Sequence, residues 1–150
     1  MIHVVTGHIC SGKSTFVQEN AGPDDVIVDM DLIASAICRE ETEHHDYPEH
    51  VADIARVLRW FAIDEAVRMQ KRKRFDVWIV HAYPDASDIA RYRRLGASIK
   101  EMHEDEETLI TRTKAERPPR ALVTLRKMLG AADLSCAPGV GSADKLPICP

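Results

Sequence analysis

The sequence has no apolar run near the ~20 residues that cross a bilayer, and no charged stretch leads into an apolar one at its start. Both absences point to a cytoplasmic protein with no membrane partner. Only four cysteines occur, Cys10, Cys38, Cys136 and Cys149, and no two form a CxxC pair. A disulfide framework is therefore excluded, and reduced thiols are expected. Aromatics make up 5% of the chain, too few for a platform on which successive single-stranded bases stack. There is no internal repeat. With 150 residues the chain has no room for a multidomain machine, though a chain of this size buries roughly 70% of its unfolded surface.

What is present is an ordinary globular composition, 45% hydrophobic and 29% charged, with a formal net charge of −4. The charge is uneven. Residues 1–50 carry ten acidic and two basic side chains, residues 51–100 six and eleven, and residues 101–150 eight and seven. An anionic partner meets less repulsion in the middle of the chain than at its start.

Apolar periodicity divides the chain into strands and helices. The β-branched run 2–6, closed by Gly7, reads as a buried strand, followed by a helix from Lys13 to Asn20. Val26 to Val28 reads as a second strand ending at Asp29, and Leu32, Ile33, Ala36 and Ile37 then recur at helical spacing. Residues 40–50 are polar and contain Pro48, so a loop is expected; His44, His45 and His50 sit there with five acidic residues, a solvated loop rather than a metal site. Its position after the second helix makes it a candidate lip for an acceptor, although so acidic a lip would repel nucleic acid. Val51 to Gln70 carries the i, i+3, i+4, i+7 apolar pattern of a long amphipathic helix. Val77 to Val80 reads as a third strand, Asp85 and Asp88 as caps of a helix to Leu95, and Ala97 to Met102 as a fourth strand. A helix from Glu104 to Glu116, a break at Pro118-Pro119 and a last helix to Leu129 follow. From Ala131 onward Gly, Pro, Ser and Cys suggest a loosely ordered tail. Strands alternating with helices imply an α/β fold with a parallel sheet covered on both faces.

Between the first strand and the first helix lies Gly7-His8-Ile9-Cys10-Ser11-Gly12-Lys13-Ser14, which fits GxxxxGKS in the strand–loop–helix context that the motif requires. The glycines let the backbone curl so that successive N–H groups face a phosphate, and the helix adds its positive end. Lys13 then bridges the β and γ phosphates, the Ser14 hydroxyl ligates magnesium, and Thr15 donates to the α phosphate. Cys10 inside the loop reads as a small filler, with a reactive thiol as the alternative.

Val28-Asp29-Met30-Asp31 places two carboxylates at the C-terminal end of the second strand, where parallel sheets collect ligands. Read as extended, the segment sends both to one face. Asp29 can support magnesium while Asp31 accepts the proton of an incoming hydroxyl. The alternative makes Asp31 a helix cap beside a solvated carboxylate. The third strand ends in His81 rather than an acid, which argues for phosphoryl transfer over hydrolysis. His81 itself reads as a satisfied strand-end histidine.

GHICSGKS, VDMD before an apolar helix, and TLITRTKAERPP together resemble the small P-loop kinases of the polynucleotide-kinase-like and zeta-toxin-like group, over roughly residues 1–130. The similarity is greatest to compact phage and actinobacterial members, and it extends distantly to shikimate and gluconate kinases. The resemblance implies a three-layer P-loop NTPase fold with a four- to five-stranded parallel sheet and a helical lid at about 105–120. It implies ATP (or another NTP) and Mg2+, with Asp31 as base, Asp29 assisting the metal, and Arg112 and Arg117 as lid arginines, Arg120 being a further candidate. Arginine suits the lid because its planar fork stays charged and grips phosphate in a bidentate way. The acceptor class it implies is a nucleic-acid 5′-hydroxyl or a nucleoside or nucleotide; a small-molecule kinase is the alternative. For a phage-encoded chain the compartment is the host cytoplasm. Two positions depart from the group: Ala34 stands where an arginine usually follows the catalytic aspartate, and residues 118–150 offer no fifth strand.

The segment Lys71 to Arg74, with Arg91, Arg93 and Arg94, is a candidate basic surface for a phosphate backbone, or simply a basic helix end. A second class of function also fits the motif, an ATP-binding or ATP-hydrolysing accessory module that acts on a protein partner.

Overall fold

The β-branched runs bury both faces, and this dictates parallel strands flanked by helices. The computed structural model describes residues 1–39 and 45–134. In chain order it has β1 (Ile2–Gly7), α1 (Lys13–Asn20), β2 (Val26–Val28), α2 (Met30–Ile37), α3 (Glu49–Gln70), β3 (Val77–His81), α4 (Ala86–Arg94), β4 (Ser98–Met102), α5 (Glu106–Glu116) and α6 (Pro119–Leu134). The protein is thus α/β, with an all-parallel sheet ordered β2-β3-β1-β4. No strand follows β4 among the described residues, and no described helix is long and apolar enough to cross a membrane.

Alternation along β1 and β3 fills two cores. Val4, Val77 and Ile79 face Ile63, Ala66 and Val67 of α3 and Tyr92 of α4. Val5, Trp78 and Val80 point the other way, onto Val17 and Phe16 of α1. Each such side chain, fully buried, contributes about 1.5–3 kcal/mol from area removed from water. A third cluster, Ala34, Tyr47, Val51 and Ala55, fastens α2 and the segment before α3 to the α3 helix.

Element ends differ from the sequence expectation at four places. Helix α5 starts at Glu106 rather than Glu104, with Asp105 as its N-cap. The last helix runs through Gly130 to Leu134 instead of ending at Leu129, because a glycine inside a helix costs only about 1 kcal/mol. Helix α3 starts at Glu49, inside the expected loop 40–50. Asp29 and Asp31 do not share an extended segment, since α2 begins at Met30 with Asp29 as its N-cap. Residues 40–44, His44 among them, and the tail from 135 with Cys136 and Cys149 lie outside the described residues.

Candidate functional site

All four strands run the same way, so β1, β2 and β3 deliver the Gly7–Gly12 loop, Asp29 and His81 to one edge of the sheet. At that edge Gly7 has φ 137°, and an added Cβ would lie 2.5 Å from the Met102 carbonyl oxygen. Only glycine fits there. Cys10 (φ 60°) and Gly12 (φ 80°) continue the left-handed curl, and Gly12 is the N-cap of α1. The loop is tied by Ser11 N–H donating to the His8 carbonyl at 3.2 Å.

Lys13 opens α1 and folds back under this loop, where it is only 8% exposed. Its ammonium donates to the His8 carbonyl and to Ser11 Oγ at 3.4 Å, so its bonded partners are neutral oxygens. Burial, and next the charge of Arg117, lower its pKa to about 8, against the opposing pull of Asp29, Cys10 and Asp31. A buried cation bonded to neutral acceptors is matched by an anion.

The Ser14 hydroxyl, one residue on, donates to Asp29 Oδ2 at 2.8 Å. Asp29 is 6% exposed, and its other oxygen accepts from Asp31 N–H at 3.0 Å, so the carboxylate caps α2 while facing Ser14. The cap fixes the direction of α2, and with it the place of Asp31 in the first turn. A hydroxyl and a carboxylate side by side are hard oxygen ligands of the kind magnesium takes.

Asp31 Oδ2 accepts from Arg117 NH1 at 2.8 Å, each side chain being 23% exposed, and lies 3.6 Å from His45 Nδ1. Burial acts to lower the Arg117 pKa, but the charge and hydrogen bond of Asp31, helped by Cys10, leave it raised. Arg117 is the C-cap of α5, immediately before Pro118, and from there it reaches both Asp31 and the loop. Arg112, one turn earlier, is more exposed; its NH1 lies 3.4 Å from both the Cys10 carbonyl and Glu104 Oε1. Beyond the proline pair, Arg120 donates to the Tyr47 carbonyl at 2.8 Å and pairs with Asp46 at 2.6 Å. A cavity of about 480 Å³ lies at this break between α5 and α6, lined by residues that include Asp46, Thr113, Lys114 and Arg117.

The structure therefore brings Lys13, Ser14, Asp29, Asp31 and Arg117 together, sets Arg112 against the loop backbone, and uses Arg120 to tie the start of α6 to the segment before α3. Gly7, His8, Ile9, Cys10, Ser11 and Gly12 form the loop, and Thr15 follows on an exposed position of α1. Tyr47 and His45 belong to the segment expected as a candidate acceptor lip, but their contacts with Asp31 were not expected. The buried Tyr47 hydroxyl donates to the Asp31 carbonyl at 3.1 Å and meets His45 Nδ1 at 3.3 Å. The only signal for it in the sequence is an aromatic residue inside an otherwise polar loop. His81 ends β3 at 7% exposure, with Arg59 NH2 3.1 Å from its Nε2 and the Tyr92 hydroxyl 2.9 Å from its Nδ1. Lys71 to Arg74 follow α3 and precede β3, which puts them at the opposite edge of the sheet from the loop.

A scan against protein-family models and a search of curated proteins find no match to this chain.

Proposed function

We propose that the protein is a P-loop kinase, which transfers the γ phosphate of ATP to a hydroxyl group with the help of magnesium. The observation that carries this reading is the continuous contact from Ser14 through Asp29 to Asp31 and Arg117 at the mouth of the glycine loop. A nucleotide-binding module with no acceptor needs the loop and Ser14, but not a lid arginine gripping a second carboxylate.

In this reading the loop N–H groups and Lys13 hold the phosphates, and the charge that Lys13 carries under burial is matched by theirs. Ser14 and Asp29 would hold magnesium, which neutralises phosphate charge. Arg117 leaves Asp31 for the transferring phosphoryl group, whose oxygens suit its planar fork. The departure of Arg117 frees the Asp31 carboxylate, beside which His45 remains, to take the proton of the acceptor hydroxyl. Arg112 closes from the second turn of the same helix. On the resemblance described above, the acceptor is a nucleic-acid 5′-hydroxyl or a nucleoside or nucleotide.

The experiment is to incubate γ-labelled ATP with DNA ends, nucleosides, nucleotides or water alone. Label should pass to one acceptor class, and Asp31→Asn should lower that rate about a hundredfold or more while leaving ATP affinity within a small factor. Transfer at the native rate by Asp31→Asn removes the base from the mechanism. Release of inorganic phosphate at one rate, whatever the acceptor, favours the accessory module.

A further inference from the structure

On the other side of the glycine loop from Asp31, a cleft of about 640 Å³ opens between α4 and the β1 and β4 strands. Ile89 and Ile99 contribute apolar walls, His8 and Tyr83 an aromatic corner, and Arg93 and Glu101 one charge of each sign. The volume lies in the range of small-molecule sites.

Two features mark the aromatic corner as built for something. Tyr83 adopts φ 59°, an uncommon conformation for a bulky residue, and this sets its ring edge-on to His8 with centroids 4.6 Å apart. Moreover, the Tyr83 hydroxyl and His8 Nδ1 are both shielded from solvent and have no hydrogen-bond partner among the described residues. Buried polar atoms without partners are rare and call for an explanation. A ligand edge carrying donors and acceptors supplies one.

We propose that this cleft is a nucleobase site, holding the ring between its apolar walls and reading the ring edge with Tyr83, His8, Glu101 and Arg93. The charges decide against the alternatives. Arg93 and Glu101 carry one charge of each sign, and burial followed by the Lys13 charge lowers the His8 pKa against the opposing pull of Glu101, which disfavours a positive charge on the His8 ring. A separate phosphate would find no net positive charge, whereas a neutral ring with donors and acceptors on its edge meets a carboxylate, a guanidinium, a phenol and an imidazole. Carboxylates accept from ring amino groups, and arginine donates to ring oxygens and nitrogens. The inference rests on the phosphate-holding role proposed for the glycine loop, because His8 belongs to both loop and cleft. The base comes either from the phosphate donor or from a nucleoside acceptor.

The test uses the whole chain with magnesium and three kinds of probe: ATP and GTP, inorganic tripolyphosphate, and adenosine and guanosine. If the donor's base is held here, the better nucleotide binds at least about tenfold more tightly than tripolyphosphate. Tyr83→Phe and Glu101→Gln then erase most of that advantage without weakening tripolyphosphate. If the acceptor's base is held here, ATP, GTP and tripolyphosphate bind alike, but one nucleoside binds and loses affinity in the same two variants. Tyr83→Phe keeps the ring and removes only an unpartnered hydroxyl, so its thermal stability should equal or exceed that of the parent; loss of base binding is then not a folding effect. Equal binding of nucleotides and tripolyphosphate with no nucleoside binding overturns the base site while leaving the phosphate loop intact. If neither nucleotides nor tripolyphosphate bind, the phosphate-holding role fails, and the nucleoside arm alone decides the cleft: variant-sensitive binding supports it and no binding overturns it.

Discussion

A lysine whose ammonium is buried among neutral oxygens destabilises the fold while charged. Lys13 titrates at about 8 in the folded chain against its ordinary 10.5. The sign follows from linkage: between those values the unfolded chain binds the extra proton, so stability rises as pH increases from about 8 toward 10.5, and the cost of the buried charge is fully present below 8. An anion on the loop relieves the same cost. Tripolyphosphate should therefore raise the melting temperature strongly at pH 7 and much less at pH 9.5, where Lys13 is largely neutral. Lys13→Met should melt higher than the parent without ligand at pH 7 and gain little from tripolyphosphate at either pH. Equal gains at both pH values in the parent protein would show that Lys13 does not hold the anion. This residue was legible beforehand, because GxxxxGKS fixes the place of its lysine by local chain geometry. Tyr47 and His45 were legible only as members of a candidate acceptor lip, not as partners of Asp31. They reach Asp31 only because the segment before α3 folds back over α2, a tertiary event with no periodicity to announce it.

Helix caps show the same division at the level of elements. The Asp85 and Asp88 pair was readable as a capping box before α4, and both bonds form, Asp88 N–H to Asp85 at 2.8 Å and Asp85 N–H to Asp88 at 3.2 Å. The strands were readable to within a residue or two, β1 to β3 because continuous β-branched runs have few other uses in a chain of this length, and β4, largely exposed and with Ile99 as its one β-branched residue, from its place between two helices. Asp29 was read as the end of a strand whose alternation would aim it with Asp31. It is instead the cap of α2, and this gives it two tasks, orienting the helix and facing Ser14. The tasks separate by comparison. Asp85→Ala and Asp29→Ala should each lose about 1 kcal/mol of stability from the missing cap, measured by urea unfolding. Only Asp29→Ala should also lose the magnesium dependence of nucleotide binding, while Asp29→Asn, which keeps a capping oxygen, should recover most of the stability and little of the magnesium effect. If Asp29→Ala binds nucleotide with the parent's magnesium dependence, the carboxylate serves the helix alone.

At the scale of the whole molecule, a polar seam crosses one of the two cores. Arg59 of α3, His81 of β3 and Tyr92 of α4 are all buried, their side chains meet within 3.4 Å, and Trp60 packs against the cluster with its ring centroid 6.1 Å from that of His81. Burial, and then the Arg59 charge, lower the His81 pKa to about 4, and burial raises the Tyr92 phenol to about 12. Asp85 acts in the opposite direction on His81, and Asp88 Oδ2 lies 3.7 Å from its Nε2, but neither outweighs the loss of hydration. His81 is thus neutral in the fold at pH 7, and it accepts the Arg59 proton only while it stays neutral. Its folded pKa lies below its ordinary 6.5, so its contribution is fully present above pH 6.5 and is lost as pH falls from 6.5 to about 4. Its size is on the order of 2 kcal/mol after allowance for solvent screening. The carboxylates of Asp25, Asp76, Asp85 and Asp105 are held below their ordinary 3.8 by hydrogen bonds, so their contributions vanish only at lower pH. The contributions of His8, also held below its ordinary 6.5, and of Glu65, held below its ordinary 4.5 by its hydrogen bond from Arg68, are lost in part of the same range. It is therefore the difference between the parent protein and a His81 variant in urea unfolding between pH 4 and 7 that isolates His81. The parent protein should lose stability steadily as pH drops through that range, whereas His81→Gln, which keeps an oxygen for Arg59, should start lower and fall less steeply, the two curves converging toward pH 4. Parallel curves for the two proteins would mean that the three elements are joined by packing alone, with no part of their stability held by the charge state of the seam.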